Sequence, residues 1–345
     1  MGPPLRVAVL MGGRSSEREV SLASGRRAAE AAAELGHQVS AIDIGDLALP
    51  GTRPVAALSD DAPAQPPTLP AEAPQVASQL RRLLPGEVDV VFIALHGPGG
   101  EDGCLQGLLE LLGIPYTGSG VLASALAMNK VMSKRIFRQQ GLQTPDWVSF
   151  NIDGSRPDLA SMASVAAGRI GIPAIVKPAC QGSTIGVTWV NDPGEFAPAL
   201  EEAFRYGNEA LVERLIEGIE IAGGVLGNHD PMVLPLVEIV PAGGRYDYEA
   251  KYTPGATEEI VPAGIPDRAA EQARRMALSA HQVLGCRGMS RADMMAADDG
   301  VYLLEVNTIP GMTSTSLLPR AAEAAGIPFT ALVSRLLDLA LEADS

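Results

Sequence analysis

The stretch Arg291-Ala-Asp-Met-Met-Ala-Ala-Asp-Asp-Gly-Val-Tyr-Leu-Leu-Glu-Val-Asn307 contains two strand-like runs separated by the turn signal Asp-Asp-Gly. An antiparallel hairpin centred on Asp299 pairs Asp293 with Glu305 across the two strands. Alternate residues of a strand lie on one side, so Asn307 joins this pair. Two carboxylates and an amide oxygen are hard ligands, and Mg²⁺ is typically held by one or two carboxylates together with nucleotide phosphates. The hairpin therefore predicts a magnesium site and, with it, ATP, whereas the plainer interpretation is a solvated acidic hairpin.

Composition limits the possible classes of protein. The chain has 345 residues, of which 46% are hydrophobic and 19% charged, so we expect a globular protein of two or three domains. No apolar run reaches the length of a membrane span, and the N-terminus has no signal-peptide pattern, which predicts a cytoplasmic protein with no membrane partner. A net charge of -15 argues against broad nucleic-acid binding. Three widely spaced cysteines fit neither a disulfide framework nor a zinc cluster.

The order of the predicted elements indicates an α/β (α+β) protein of three domains. The run Arg6 to Met11 is typical of a buried strand, and Ser16-Glu-Arg-Glu19 after it predicts a capping box that opens a helix. Further strands are predicted near 38–44 and 88–95, with an irregular Pro/Ala-rich excursion at 49–75 between them, and a helix from Tyr116 to Phe137. We predict domains at 1–118, 119–213 and 214–345.

A Gly/Ser loop follows the strand that ends at Lys177. The segment Gln181-Gly-Ser-Thr-Ile-Gly186 offers backbone N–H groups, hydroxyls and a nearby ammonium, which suits phosphate oxygens. It is not a Walker P-loop, because the GxxxxGK[ST] pattern is absent and a strand follows the loop. A plain hairpin turn is the alternative.

Three other motifs have two interpretations each. Tyr246-Asp-Tyr-Glu-Ala-Lys-Tyr252 is typical of a strand, although Lys251 could reach a phosphate and Tyr252 could line a pocket. His96 follows a buried strand, where α/β folds bind ligands, but a histidine at the start of a loop is often structural. Glu213-Arg-Leu-Ile216 suits a hinge against adenine or a simple strand end.

Taken in order, six motifs resemble the D-alanine:D-alanine ligase family over nearly the entire chain. They are Gly12-Gly-Arg-Ser-Ser-Glu-Arg-Glu-Val-Ser-Leu22, Ala94-Leu-His-Gly-Pro-Gly-Gly-Glu-Asp-Gly103, Pro115-Tyr-Thr-Gly-Ser-Gly120, Gln181-Gly-Ser-Thr-Ile-Gly186, Tyr246-Asp-Tyr-Glu-Ala-Lys-Tyr252 and Leu303-Leu-Glu-Val-Asn-Thr-Ile-Pro-Gly-Met-Thr-Ser314. The resemblance implies the ATP-grasp fold, with the nucleotide between the central and C-terminal domains. It also implies a cytoplasmic homodimer that makes a peptidoglycan precursor for the cell wall.

The resemblance implies a role for each matching residue. Phosphates of ATP would contact Lys130, Lys177, Lys251, Ser183 and Thr184, and adenine and ribose would contact Glu213, Arg214, Ile216 and Glu220. Two Mg²⁺ ions, which Mn²⁺ could replace, would bind Asp293, Glu305 and Asn307. The first D-alanine would meet Glu17 and His96, the second Ser316 and Leu317, and the oxyanion Arg291 and the Gly311 backbone. Glu17, Ser183 and Tyr252 would form a hydrogen-bonded trio.

The implied reaction has two steps. A D-alanine carboxylate attacks the γ-phosphorus of ATP, and the amine of a second D-alanine displaces phosphate from the acyl phosphate. Tyr252 favours an amine as the second substrate, because related ligases that make a D-alanine:D-lactate ester tend to have phenylalanine there. Gln181, Ile309 and Thr315 depart from the family pattern and put the shape of the pocket in doubt.

Three alternative functions are compatible with parts of the sequence. One is an ATP-grasp ligase with another acceptor, such as D-lactate, D-serine or a secondary-metabolite substrate. A second is a protein that binds ATP or D-alanine without turnover, which the full set of cations and metal ligands disfavours. The third is an oxidoreductase that uses the N-terminal unit, which is weak because G-x-G-x-x-G is absent.

Overall fold

The computed structural model describes residues 3–13, 15, 17–45, 86–153, 157–244, 246, 250, 253 and 255–342. The predicted excursion at 49–75 lies outside the described residues, as do Ser16, Lys251 and Tyr252. In the described part of the chain the strands form three sheets, one for each predicted domain.

The first sheet is parallel and has the order β2-β1-β3, from β1 (Arg6–Met11), β2 (Gln38–Asp43) and β3 (Val90–Ile93). Helix α1 (Arg18–Glu34) connects β1 to β2, and helix α2 (Cys104–Leu112) follows β3. The predicted capping box depends on Ser16, which lies outside the described residues. Glu17 is the residue that precedes α1; its side chain makes no capping hydrogen bond, and its carboxylate accepts a hydrogen bond from Ser183.

The second sheet is antiparallel, with the order β4-β7-β5-β6. Its strands are β4 (Trp147–Asn151), β5 (Ala174–Pro178), β6 (Thr188–Val190) and β7 (Glu209–Arg214). Helices α5 (Leu159–Arg169) and α6 (Phe196–Phe204) cover it and form one apolar core with β5 and β7. The Gly/Ser loop joins β5 to β6, so the sheet carries this loop at one end.

The third sheet has the order β11-β10-β8-β12-β13, and β9 pairs with β8. Its strands are β8 (Ile219–Leu226), β9 (Met232–Val233), β10 (Val237–Pro241), β11 (Thr257–Ile260), β12 (Met289–Ala297) and β13 (Gly300–Asn307). Helix α7 (Asp267–Val283) packs on this sheet. The predicted single helix from Tyr116 to Phe137 is instead two helices, α3 (Val121–Met128) and α4 (Lys130–Gln139), because Asn129 leaves helical geometry and caps α4 with its side chain.

The hairpin of β12 and β13 pairs Asp293 with Glu305, as predicted, but the predicted centre of the turn is wrong. Ala297 pairs with Gly300, so the turn has two residues and its centre lies between Asp298 and Asp299. A register shift between Asp293 and Met294 compensates for this offset. Such a bulge places one extra residue in one strand, and it restores the predicted pairing at the end of the hairpin where the acidic side chains lie.

The C-terminal helices α8 (Leu317–Ala324) and α9 (Phe329–Leu341) return to the first sheet. Their apolar side chains share one core with those of β1, β3 and α1. Within the described ranges no single helix has the length and hydropathy of a membrane span. Helices α8 and α9 reach that hydropathy only as a pair, and they are bent by 105° with respect to each other.

Candidate active site

Two adjoining cavities lie where the three sheets meet. The first has a volume of about 420 Å³ and is lined by the second and third sheets, and the second, of about 350 Å³, is lined by α1, the loop after β3 and the segment after β13. Gly182, Ser183, Tyr246 and Glu305 line both cavities. A molecule in one cavity therefore lies close to a molecule in the other.

The first cavity is lined by both polar and apolar side chains. Every described residue that the sequence predicted for ATP lines it: Lys130, Lys177, Ser183, Thr184, Glu213, Arg214, Ile216 and Glu220. Met295 and Leu304 face the same space from β12 and β13. A cavity lined by apolar side chains and by several cations suits a purine with a polyanionic tail.

A buried carboxylate between two ammonium groups stands in the wall of the first cavity. Glu213 is 2% exposed, its Oε2 is 2.9 Å from Nζ of Lys134, and its other oxygen accepts a hydrogen bond from Lys177. Burial raises the pKa of Glu213, but the two lysines outweigh burial and lower it overall. Burial, opposed by Glu213, lowers the pKa of Lys134 to about 8. Glu213 therefore stays ionised in a nearly dry position.

The two predicted metal-binding carboxylates are each paired with a cation of the chain. Nε and Nη2 of Arg291 both lie 2.7 Å from the carboxylate of Asp293, and Nζ of Lys130 lies 3.0 Å from Oε2 of Glu305. Burial lowers the pKa of Arg291, but Asp293 outweighs burial and raises it overall. Both carboxylates line the first cavity, so their oxygens face the space in which phosphates would lie.

The donor set fits a magnesium ion that is bound together with a nucleotide. Asn307 follows Glu305 on β13 and lines the second cavity, where its Oδ1 accepts a hydrogen bond from the N–H of Ile309 at 2.9 Å. Among the described residues no group of three or more His, Cys, Asp or Glu side chains could hold a metal ion by itself. Two carboxylates and one amide leave coordination positions for phosphate oxygens and water, which is the usual arrangement for Mg²⁺.

The Gly/Ser loop between β5 and β6 closes the space between the two cavities. Ser183 and Thr184 have φ angles of 47° and 61°, which residues other than glycine rarely adopt. The Ser183 hydroxyl donates to the carboxylate of Glu17, and the Thr184 hydroxyl donates to the carbonyl of Tyr246 at 3.4 Å. The unusual backbone conformation is thus held by contacts with two other units of the fold.

The second cavity combines acidic and basic groups. Glu17, His96, Arg291, Asn307, Gly311, Ser316 and Leu317, all predicted from the sequence, line it. Nδ1 of His96 lies 3.7 Å from Glu101, and Nε2 is buried with no hydrogen-bond partner among the described residues. Burial lowers the pKa of His96, but Glu101 and Glu17 raise it overall. A carboxylate, an imidazole and a guanidinium around one small space suit a zwitterionic amino acid.

The segment after β13 is fixed by α1. Nη1 of Arg27 donates to the carbonyl oxygens of Met312 and Thr313 at 3.1 and 2.7 Å, and its guanidinium lies 3.6 Å from the centre of the Phe329 ring. Within the segment, the N–H of Thr313 donates to Oγ of Ser316 at 3.0 Å. These contacts hold Ser316 at the edge of the second cavity.

Several side chains at or beside the site have no predicted role, among them Lys134, Glu101 and Tyr246. Lys134 lies one helical turn after Lys130, and only this spacing could have indicated it. Glu101 stands in the quoted Gly-rich motif, and Tyr246 begins the motif in which only Lys251 and Tyr252 were given roles. Burial raises the pKa of Tyr246 to about 12, so its hydroxyl is neutral.

Two family models match the chain. One, described as "D-ala D-ala ligase N-terminus", matches residues 6–119, and the other, "D-ala D-ala ligase C-terminus", matches residues 136–338. The D-alanine--D-alanine ligase of Desulforamulus reducens is 44% identical over 341 residues, which cover 98% of this chain and 99% of the relative.

Solved structures agree with the sequence matches. A D-alanine--D-alanine ligase from Bacillus anthracis, complexed with ATP, is 30% identical, with a TM-score of 0.74 over 98% of this chain and 97% of that one. The VanG D-Ala:D-Ser ligase from Enterococcus faecalis is also 30% identical, with a TM-score of 0.78 over 98% of this chain and 100% of that one. Structural likeness of this degree therefore extends to ligases with different acceptors.

Proposed function

This chain belongs to the D-alanine–D-alanine ligase family, and from that premise we propose that it joins two molecules of D-alanine into D-alanyl-D-alanine with conversion of ATP to ADP and phosphate. The observation that supports this proposal most is the shared wall of the two cavities. Glu305, Ser183, Gly182 and Tyr246 face both, so a γ-phosphate in the first cavity adjoins a carboxylate in the second. Phosphoryl transfer between two bound molecules requires such adjacency.

On the nucleotide side, we assign adenine and ribose to Glu213, Arg214, Ile216 and Glu220, as the resemblance implies. Lys130, Lys177, Ser183 and Thr184 would bind phosphates, with Lys251, which lies outside the described residues. The side chains of Lys130 and Lys177 are only 10% and 11% exposed, which supports the assignment, since a cation with little access to water interacts strongly with an anion.

Asp293, Glu305 and Asn307 would hold two Mg²⁺ ions, for which Mn²⁺ could substitute. A bound divalent cation neutralises charge on the phosphoryl group that is transferred. Arg291 pairs with Asp293 and Lys130 pairs with Glu305; Lys130 lines the first cavity and Arg291 lines the second. The chain thus supplies both the anionic ligands and the cations that the reaction needs.

On the amino-acid side, we assign the ammonium group of the first D-alanine to Glu17, with His96 beside it. Ser183 fixes the Glu17 carboxylate from the Gly/Ser loop, and Tyr252 would complete this trio. Arg291 and the backbone of Gly311 would stabilise the oxyanion. Ser316 and Leu317 would receive the second D-alanine.

The proposed reaction needs no nucleophile from the protein. An oxygen of the first D-alanine carboxylate forms a bond to the γ-phosphorus, the bond from that phosphorus to the β–γ bridging oxygen breaks, and ADP leaves. The neutral amine of the second D-alanine then attacks the carbonyl carbon, phosphate leaves from that carbon, and the amine loses a proton. The Gly/Ser loop excludes water, which would otherwise hydrolyse the acyl phosphate.

The assembly and location of the enzyme are further parts of the proposal. We propose the domain limits 1–118, 119–213 and 214–345, a homodimer and a cytoplasmic location, with the dipeptide serving as a peptidoglycan precursor. The neighbouring helices α2 and α3 support a dimer, since they expose Leu111 at 88% and Leu122 at 71%. Sedimentation velocity of the wild type and of a Leu111→Glu/Leu122→Glu variant tests the proposed dimer. Equal masses for the two proteins would contradict the assignment of the dimer interface to this surface.

A competition between acceptors tests the proposed substrate. We expect D-alanyl-D-alanine as the main product, identified by mass, when Mg-ATP and D-alanine are supplied together with equal D-serine and D-lactate. A mixed dipeptide or a depsipeptide as the main product would contradict the acceptor assignment and favour the alternative ligase. Omission of D-alanine, with the other two acceptors present, serves as the control.

A further inference from the structure

Glu213 has two cationic partners, although a single one would be enough to neutralise its charge. Its side chain is 2% exposed and lies between Lys134 and Lys177, whose side chains are 0% and 11% exposed. The three groups together carry one surplus positive charge in a nearly dry position. Burial of an uncompensated charge costs several kcal/mol, so the second lysine needs an explanation.

The two lysines differ in what surrounds them. Nζ of Lys134 lies 2.9 Å from Glu213 Oε2, 2.6 Å from Oγ1 of Thr144 and 3.4 Å from the carbonyl oxygen of Pro145. The ammonium thus donates hydrogen bonds to Thr144 and Pro145 and forms an ion pair with Glu213, and the Trp147 ring lies 5.5 Å away. Lys134 does not line the first cavity, so no ligand there would reach it.

Lys177, in contrast, faces the first cavity and contacts Glu213 from that side. It comes from β5, whereas Lys134 comes from α4 on the other side of the carboxylate. An anion in the cavity would attract Lys177 away from Glu213. If Lys177 were the only partner of Glu213, this movement would leave a buried carboxylate unpaired, which is strongly unfavourable.

We propose that Lys134 is a positioning residue: it remains the counter-ion of Glu213, and this frees Lys177 to bind the phosphates of the nucleotide. The inference rests on the proposed function, because it requires a phosphorylated ligand in the first cavity. The surplus positive charge of the cluster is then that of Lys177, which faces the ligand. Lys134 itself contacts no substrate.

The test compares two ligands in each protein by titration calorimetry. The β,γ-imido analogue of ATP has phosphates and adenosine has none, so the ratio of their affinities measures the phosphate contribution. In Lys134→Met, Glu213 keeps Lys177 as its only partner, and we expect the ratio to fall about tenfold or more, which is the loss of roughly one hydrogen bond to a charged group. A general structural defect would weaken both ligands equally and leave the ratio unchanged.

Two variants serve as controls. Lys134→Arg retains the charge and should keep the wild-type ratio. Arg138→Met removes a cation from the same helix, 4.0 Å from the centre of the same Trp147 ring, but Arg138 pairs with the exposed Asp146 and does not touch Glu213. It should also keep the wild-type ratio. An unchanged ratio in Lys134→Met, or an equal fall in Arg138→Met, would overturn the inference.

A second comparison covers the case in which Lys134→Met does not fold. Glu213→Gln removes the buried carboxylate, so Lys134 should no longer matter for Lys177. We therefore expect equal ratios in Glu213→Gln and in Lys134→Met/Glu213→Gln, and a further fall in the double variant would overturn the inference. If the wild type itself binds the analogue no more tightly than adenosine, the nucleotide assignment fails as well. If the wild type prefers the analogue and Lys134→Met prefers it by the same ratio, only the role of Lys134 fails.

Discussion

Replacement of Arg291 by methionine should make the stability of the protein depend on a divalent metal. Arg291 donates two hydrogen bonds of 2.7 Å to Asp293, and the two side chains are 14% and 11% exposed. Methionine leaves the Asp293 carboxylate without this partner. Loss of one member of a buried pair costs about 3–5 kcal/mol, and the lower end applies because Asp293 faces a cavity.

The assay is thermal unfolding in EDTA and in millimolar Mg²⁺. A loss of about 3 kcal/mol corresponds to a lower unfolding temperature by roughly 5 °C in a chain of this size. Mg²⁺ can replace the guanidinium as the counter-ion of Asp293. We therefore expect Mg²⁺ to restore much of the lost unfolding temperature in the variant and to raise the unfolding temperature of the wild type by less. Turnover should fall by about 100-fold in either case, because an oxyanion donor is lost.

The double variant Arg291→Met/Asp293→Asn is the matched control. It removes both charges, so it should be more stable in EDTA than Arg291→Met and should respond little to Mg²⁺. The reasoning is refuted if Arg291→Met unfolds at the wild-type temperature in EDTA, or if Mg²⁺ stabilises the variant no more than the wild type.

Three further predictions concern other parts of the molecule. Gly182→Ala should raise KM for D-alanine by about tenfold, because the new methyl group would lie 2.9 Å from Oε2 of Glu17; an unchanged KM for D-alanine would contradict this contact. Arg27→Met should raise KM for the second D-alanine but not for ATP, since Arg27 holds the carbonyls of Met312 and Thr313, and a changed KM for ATP alone would count against it. Burial lowers the pKa of His281 from 6.5 to about 4, so its contribution to stability is complete above pH 6.5 and decreases as the pH falls towards 4, by roughly 3 kcal/mol in total. Urea denaturation should therefore show a smaller loss of unfolding free energy between these pH values in His281→Gln than in the wild type. Identical pH profiles for the two proteins would disprove this.

Local sequence signals predicted the parts of the site that depend on short-range geometry. The pairing of Asp293 with Glu305 followed from a turn signal and strand alternation, although the bulge that makes it possible has no signal in the sequence. The Gly/Ser loop was predicted from its composition. The left-handed conformation of Ser183 and Thr184 was not, because it depends on contacts with Glu17 and Tyr246 from other units of the fold.

Long-range pairing accounts for what the sequence did not predict. Lys134 resembles any lysine on an amphipathic helix until the second sheet brings Glu213 against it. Glu101 is a similar case: its partner His96 is close in the chain, but the cavity that both residues line is also formed by α1 and by the segment after β13. Motif resemblance identified residues that line the two cavities, whereas the residues that position them required the fold.

One isotope experiment tests the central claim directly. D-alanine labelled with oxygen-18 in its carboxylate is incubated with the enzyme and Mg-ATP, and the released phosphate and the dipeptide are analysed by mass. Formation of an acyl phosphate predicts that each phosphate released carries one labelled oxygen and that D-alanyl-D-alanine appears in equal amount. Phosphate without label, or phosphate release without dipeptide, would contradict the proposed ligase reaction.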